Sequence, residues 1–539
     1  MHKENITFKD TNYFSKLICD YLEEHEDLKP FYGNFPSLNS FKDQLESKKT
    51  EFTTAKREVL HNSIKQQYVN IETSKKTASN ILSLQDKNTF TVTTGHQLNL
   101  FSGPLYFLYK ILSTINLCEQ LQTKYSDFNF VPIYWMATED HDFVEINHFS
   151  LKGKKIVWNK KEALTNEKGG VGRFSTEGLV EVFEVFKKEI GIGNNAKELI
   201  QLFENTYLKH QNLAEATRYF VNQLFGKFGL VIVDGDDAAL KKLFVPTMEQ
   251  EFIDNIAFTE VDKTNKTLAQ KGYKIQVNPR EINLFYLNDG LRERIEASDN
   301  GSFKVLSSNF SWSSYDELKK ELDNNPERFS PNVLLRPVYQ ETILPNLCYI
   351  GGGGELAYWL QLKSTFQKLN VTFPLLQLRN SALLISEKQQ NKLEKLEVSH
   401  QQLFKKQFNL INTKVRQISN ISIDFSEQRK VLENQFSDLF KIAEQTDKSF
   451  KGAVDAQKHK QLKGLDTLEK RLLKAQRIKL KGEVSRITTL QNQLFPQQSL
   501  QERKSNFSEF YLEYGEDLIQ NIKDSLDPLK NEFYILKLD

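Results

Sequence analysis

One stretch constrains this chain more than any other. It reads TVTTGHQLNLFSGPLYFLYKILSTINLCEQLQTKYSDFNFVPIYWMATEDHDFVEINH, residues 91–148. Phe90, Val92 and Thr94 alternate with Thr91 and Thr93, a β-branched run that Gly95 ends. Gly103–Pro104 marks a helix start, with Pro104 at the first helical position. Leu105, Leu108, Leu112 and Ile115 then recur at helical spacing and give one apolar face. Phe130 to Met136 is again short, apolar and aromatic, hence a second strand. Strand, helix, strand at this length is a βαβ crossover, which implies a parallel sheet. The expected fold class is α/β.

Open parallel sheets bind ligands just beyond the carboxyl ends of their strands. Gly95, His96, Gln97 and Asn99 follow the first strand, and Glu139, Asp140, His141 and Asp142 follow the second. The two clusters are expected to face one crevice, although two solvated turns would read the same way.

The 539 residues exceed one ordinary core, so two or more structural units are expected. With 72 basic and 70 acidic side chains, charge makes no case for a nucleic-acid partner. Cys19, Cys118 and Cys348 are widely spaced and form no metal or redox pair. They read as small buried residues in a reducing compartment. No signal core and no run of ~20 apolar residues is present. A cytoplasmic protein with no membrane partner is expected.

Residues 1–88 read as a mostly helical arm packing on the core, and 89–385 as the core, with insertions at about 150–228 and 245–330. Ser150 to Trp158 looks extended. The loop at 164–173, with Gly169, Gly170, Gly172 and Arg173, offers backbone N–H groups to a phosphate but lacks a Walker ending; a simple turn fits it better. Leu230 to Val233 is a buried strand closed by Asp234, Asp236 and Asp237, whose commonest use is capping the next helix. KGYKIQVNP and INLFYLNDGLRERI read as strands that shape a substrate pocket. Leu347 to Ile350 is a strand followed by Gly351 to Gly354 and a helix opened by Glu355. Gly353 and Gly354 at a helix start suit an anion, while Glu355 suits an amine. Arg336, Tyr339, Gln340 and Tyr358 flank this run. FPLLQLRNSALLI reads as a strand pair with Arg379 and Asn380 at its turn.

From 375 to 495 there is no proline or tryptophan. Leu465, Leu468 and Leu472, then Leu480, Val484, Ile487 and Leu494, form an apolar seam with a slip between the two sets. A helical coil over 386–495, folded into an antiparallel hairpin by a break near 447–452, is expected. The tail 496–539 regains aromatics and returns to the core. Arg503 and Asn506 are its candidate nucleotide contacts.

TGHQLNLFSGPLYFLYK, VPIYWMATEDHDFVEINHF, LLRPVYQETILP, LRNSALLI and the coil before QERKSNFSEFYLEYG resemble the bacillithiol-biosynthesis cysteine-adding enzymes. The resemblance runs through almost the whole chain in order. It implies a Rossmann-like core with connecting-peptide insertions and an antiparallel coiled-coil arm used to form a homodimer. It also implies a cysteine ligase that joins the cysteine carboxyl to the amine of glucosaminyl-malate. That family commonly has glutamine where this chain has His96, so no obligate acid–base role is carried to that position.

An amide from a free carboxylate needs an activated acyl group and a neutral amine, and ATP is the usual activator. ATP or ADP and Mg²⁺ therefore enter as expectations, with no metal-ligand set assigned. His96, Asp140, His141 and Asp142 are the candidate catalytic residues: Asp140 and Asp142 to orient substrate or metal, His141 as base. Gly95, Gln97, Asn99, Glu139, Arg336, Tyr339, Gln340, Gly353, Gly354, Glu355, Tyr358, Arg379 and Asn380 are candidate substrate contacts. Two other readings stay open: a different adenylate-forming or nucleotidyl-transfer enzyme on this core, and a non-enzymatic coiled-coil scaffold.

Overall fold

The βαβ unit forms as strand β1 (Thr89–His96), helix α1 (Tyr106–Lys124) and strand β2 (Asn129–Met136). The computed structural model describes residues 2–159 and 169–538. Strands β3 (Val231–Asp234), β4 (Asn346–Gly351) and β5 (Leu375–Leu378) complete a five-stranded sheet in the order β5-β4-β1-β2-β3. Every pairing in it is parallel. Strand β1 is buried along its whole length, so its threonines face partners and not water. Thr91 and Thr93 hydroxyls donate to Asn346 Oδ1 at 3.2 and 2.8 Å, and Thr94 donates to Ile350 O at 2.7 Å. Phe90, Val92, Leu117, Cys118, Phe130, Cys348, Ile350 and Leu375 pack into one core with Phe41 and Leu45 of the N-terminal arm.

Helix α1 opens at Tyr106, two residues after Pro104. The lag follows from Phe101 and Ser102, both held at positive φ. The ring of Phe101 lies 5.0–5.4 Å from those of Phe149, Phe186, Phe203, Phe220 and Phe507. Apolar burial of this kind, at about 25 cal/mol per Å², outweighs a left-handed backbone costing about 1–2 kcal/mol.

Other expectations fail for identifiable reasons. KGYKIQVNP forms no strand. The N–H groups of Gln276 and Val277 donate to Gln361 Oε1 at 3.2 and 3.1 Å, a side chain standing where a ladder partner would be. Leu375–Leu378 and Ser381–Ser386 do not pair with each other; the second joins His2–Thr7 and Glu532–Leu538 in a separate three-stranded sheet. Ser150 to Trp158 is extended as expected, and it spans the end of the first strand, the turn and the second strand of a hairpin, His148–Leu151 against Lys154–Val157. Of the glycine-rich loop, residues 164–168 lie outside the described residues. The N–H groups of Val171 and Gly172 donate to Asp140 O and Thr138 O at 2.6 and 2.8 Å, so they cradle no phosphate. Cys118 and Cys348 are buried, whereas Cys19 is half-buried.

The chain divides into two compact units, Met1–Leu384 with Gln501–Leu536, and Ile385–Leu500 with Lys537–Asp539. It leaves the first unit at Leu384 and re-enters at Gln501. These two residues hydrogen-bond each other, Leu384 N to Gln501 Oε1 at 2.9 Å and Gln501 Nε2 to Leu384 O at 3.0 Å. In the second unit, helices α4 (Ser426–Ala443) and α5 (Lys448–Lys479) form an antiparallel hairpin. Phe436 and Ala443 pack on Val454, and Arg429 pairs with Asp466 and Glu469 further along. Asp447 caps α5, accepting from the N–H groups of Ser449 and Phe450. The break at Leu480, before Lys481–Leu494, falls where the leucine seam slips. Among the described residues no helix is long and apolar enough to cross a membrane.

Candidate active site

Three loops converge beyond the carboxyl ends of β1, β2 and β4. After β1, Gly95 accepts a 2.6 Å hydrogen bond on its carbonyl from Lys110 Nζ. The His96 ring is wedged against Tyr106 and Phe107, at 5.4 and 5.1 Å. Burial, with the charge of Lys110 nearby, pushes its pKa down to about 3. The ring is therefore neutral at physiological pH, and its buried Nε2 has no hydrogen-bond partner. Gln97 ties the first loop to the second: its Nε2 donates to Asp140 Oδ2 and to Glu145 Oε2, both at 2.8 Å.

After β2, Glu139 pairs with the buried Lys241, whose Nζ also donates to Phe329 O at 2.6 Å. Burial raises the Glu139 carboxyl against the opposing pull of Lys241. Asp140 accepts from the His141 N–H at 2.7 Å. Arg292 Nη1 lies 2.8 Å from His141 Nδ1. A guanidinium can only donate, so in this contact Nδ1 accepts and Nε2 is the nitrogen that carries a proton. A ring held this way has no lone pair left for a substrate proton. With Nδ1 engaged by Arg292, this arrangement presents Nε2 to the pocket as a donor and does not match the base expected at His141.

After β4, helix α3 (Gly353–Trp359) begins under its own Glu355. Glu355 Oε2 accepts from the Gly352 N–H at 2.9 Å and from Lys110 Nζ at 2.5 Å, and Oε1 accepts from the Tyr349 hydroxyl at 2.6 Å. The helix start expected to hold an anion is thus filled by the protein's own carboxylate. Burial acts to raise the Glu355 carboxyl, but Lys110, Tyr349 and Gly352 outweigh it and hold the group below the ordinary range. Burial lowers the pKa of Lys110 against the pull of Glu355. Arg336 Nη1 donates to Gln340 Oε1 at 3.0 Å and Nη2 to the Tyr358 hydroxyl at 3.1 Å.

These groups line one pocket of about 610 Å³. Gly95, His96, Gln97, Glu139, Asp140, His141, Arg336, Glu355 and Tyr358 share its wall, from loops more than two hundred residues apart in the chain. A family model described as the N-terminal Rossmann-like domain of bacillithiol biosynthesis BshC matches residues 1–380. A second, described as its C-terminal coiled-coil domain, matches residues 382–538.

The chain belongs to the bacillithiol biosynthesis BshC family.

A relative from Christiangramia forsetii is 56% identical over 531 residues, 98% of each chain. One from Flavobacterium psychrophilum is 55% identical over 538 residues, all of each chain. One from Bacillus thuringiensis is 26% identical over 539 residues, 97% of this chain and 98% of the relative. All three are named "Putative cysteine ligase BshC". A crystal structure described as a "putative arginyl t-RNA synthetase" from Campylobacter jejuni covers 80% of this chain and 100% of its own, with 11% identity and a TM-score of 0.21. That likeness carries no argument.

Several residues expected at the site of this BshC-family chain lie outside the pocket. Asp142 caps the short helix Phe143–Ile146 through the Glu145 N–H, and Asn99 Nδ2 donates to Glu145 O at 3.3 Å. The buried Tyr339 donates to Gly235 O at 2.8 Å and packs on Trp135. Gln340 stands one residue behind the wall, its Nε2 donating to Glu341 Oε1 at 2.9 Å. A side chain at Gly353 would meet Ile18 and Phe14 of the arm, and one at Gly354 would approach Gln276. Arg379 makes a buried two-pronged pair with Glu502, at 3.1 and 2.7 Å. Asn380 accepts from the Ser113 hydroxyl at 2.9 Å and donates to Asp527 O at 2.8 Å. Asn506, expected to touch a nucleotide, is fully buried and donates to Phe101 O and Gly103 O at 2.8 and 2.6 Å; Arg503 is exposed. Among the described residues no three His, Cys, Asp or Glu side chains gather to hold a metal ion.

Lys110, Tyr349, Arg280, Arg292 and Arg294 line the pocket and were not singled out from the sequence. Two signals marked them. Lys110 is the charged residue on an otherwise apolar stretch of α1. Arg292 and Arg294 sit two apart on one strand, Leu291–Ala297, and so share a face.

Proposed function

We propose that this pocket joins the carboxyl group of L-cysteine to the amine of glucosaminyl-malate, forming an amide in the last step of bacillithiol biosynthesis. One observation carries the reading: loops after β1, β2 and β4 close one pocket with carboxylates, a neutral imidazole and guanidinium groups, in a chain whose relatives are named as cysteine ligases. The cysteine carboxylate takes a phosphoryl or adenylyl group from ATP, releasing ADP or pyrophosphate. The amine nitrogen then bonds to the acyl carbon, phosphate or AMP leaves, and the amine proton passes to Asp140. Asp140 suits this role because Gln97 and the His141 N–H orient it while its side chain stays 30% exposed. His141 Nε2–H and Arg292 stabilise negative charge as it builds on the acyl oxygen. Arg280, Arg292 and Arg294 make the outer end cationic, which suits the two carboxylates of the malyl group.

The exposed Val431, Leu439, Ile442 and Leu468 on α4 and α5 support pairing with a second copy through the coil, and a monomer mass by light scattering would overturn it. Three free cysteines support a reducing cytoplasm as the compartment. The decisive assay mixes the purified chain with cysteine, glucosaminyl-malate and Mg-ATP. Mass spectrometry is expected to find the cysteinyl amide together with ADP or AMP. Neither product appearing, with the precursor intact, would end the reading.

A further inference from the structure

The pocket has two charged ends of different character. The outer end carries Arg280 and Arg294, both exposed. The inner end is built from the buried Lys110, Tyr349 and Tyr358 and the half-buried Glu355 and Arg336, around Gly95.

At the inner end the internal pairing is incomplete in a specific way. Glu355 has three donors, Lys110, Tyr349 and the Gly352 N–H, and a carboxylate offers about four acceptor positions. Its side chain is 26% exposed, so accepting capacity remains on the pocket side. Arg336 uses one N–H on Gln340 and one on Tyr358, both neutral, and among the described residues it enters no ion pair. Arg336 is half-buried, and a cation largely removed from water is ordinarily matched by an anion. Glu355, which lines the same pocket, is already engaged by Lys110. Between the two stands Gly95. A Cβ there would lie 3.3 Å from the Tyr349 hydroxyl and 3.9 Å from Arg336 Nη1, filling the gap between the acid's partner and the guanidinium. Glycine keeps that gap open.

The inner end therefore lacks one anion at Arg336 and one donor at Glu355, side by side. A single small molecule supplies both when an ammonium and a carboxylate hang from one carbon. We infer that the inner end is an α-amino-acid subsite, with Arg336 taking the carboxylate and Glu355 the α-ammonium. Trp135 and Met136 close the wall beside it and leave an apolar surface for a short side chain. Naming that amino acid as cysteine rests on the proposed function; the subsite itself rests on the geometry.

The test is calorimetric titration of the full-length chain, in reductant, with L-cysteine, cysteamine and 3-mercaptopropionate. The second lacks the carboxylate and the third the ammonium. L-cysteine is expected to bind saturably, and each analogue at least ~10-fold more weakly, because each forfeits one charge-assisted contact. Arg336→Met and Glu355→Gln are expected to weaken L-cysteine by a similar factor. Comparison of the three ligands on the unaltered chain needs no variant to fold. Either analogue binding as tightly as L-cysteine, or no binding of L-cysteine, overturns the subsite. Discriminating binding without amide formation would leave the subsite standing and remove the ligase. Amide formation with Glu355→Gln and Arg336→Met both unchanged would do the reverse.

Discussion

The two ends of the parallel sheet bury charge in opposite ways. At the carboxyl end Glu355 and Arg336 open onto the pocket with unused hydrogen-bonding capacity. At the amino end Lys48 and Glu341 have fully buried side chains, 4.0 Å apart. Glu341 Oε1 accepts from Gln340 and Asn346, and Asn346 in turn accepts from Thr91 and Thr93. Lys48 Nζ donates to Glu341 O at 3.1 Å. One sheet thus has a sealed polar end that holds strands together and an open polar end that can do chemistry. The difference is enclosure: Lys48 and Glu341 are shut off from water, whereas Glu355 keeps 26% of its side chain exposed to the pocket. Gln340 joins the two, since it donates to Glu341 and accepts from Arg336.

Substitution at each end should therefore fail in a different currency. Asp140→Ala, at the open end, is expected to lower kcat/KM by roughly 10²–10⁴ while the thermal midpoint stays within a few degrees. A midpoint collapse there would erase the distinction. Glu341→Ala, at the sealed end, leaves Lys48 with Glu51 as its remaining carboxylate, at 3.5 Å, and strips the Gln340 and Asn346 amides of their acceptor. A loss of about 1–3 kcal/mol is expected in urea denaturation, and an unchanged curve would show that the network stabilises nothing.

A pH series sharpens the same contrast. Burial, opposed by Lys48, pushes Glu341 up to about 7 from its ordinary 4.5. A raised carboxyl means that the folded state binds the extra proton. Its contribution is complete below the ordinary value and is lost as pH rises through about 7. The gap corresponds to about 3 kcal/mol at most. Denaturation at pH 5.5 and 8.5 should show the unaltered chain losing part of this stability and Glu341→Gln losing much less. Equal slopes would place the proton elsewhere. The smallest effect is expected from Asp142→Ala: about 1 kcal/mol from a lost helix cap, with activity within about twofold. A large fall in kcat would return Asp142 to the pocket.

Much of this was legible in the residues because it is local. Alternation, glycine punctuation and helical spacing placed β1, α1 and β2, and the leucine slip marked the break at Leu480. What escaped depends on partners far along the chain. Alternating Tyr273, Ile275 and Val277 look like a strand until Gln361 takes the N–H groups of Gln276 and Val277. Arg379 and Asn380 look like an exposed turn until Glu502 and Asp527 bury them. The candidate site divides the same way. The loops after the strands were visible as polar clusters, but the roles of their members were not. Whether His141 accepts or donates is decided by Arg292, and whether an anion fits beside Gly352 is decided by Glu355. No spacing rule reaches either.

The mutual clasp of Leu384 and Gln501 gives the helical arm the status of a graft. The strands of the first unit are threaded without it, and the cut ends are already held together. Clipping out residues 386–499 and bridging the scar with a short flexible linker should leave a sheet that still melts cooperatively. The arm's length and seam are then free to diverge between lineages without rewiring the fold from which it springs.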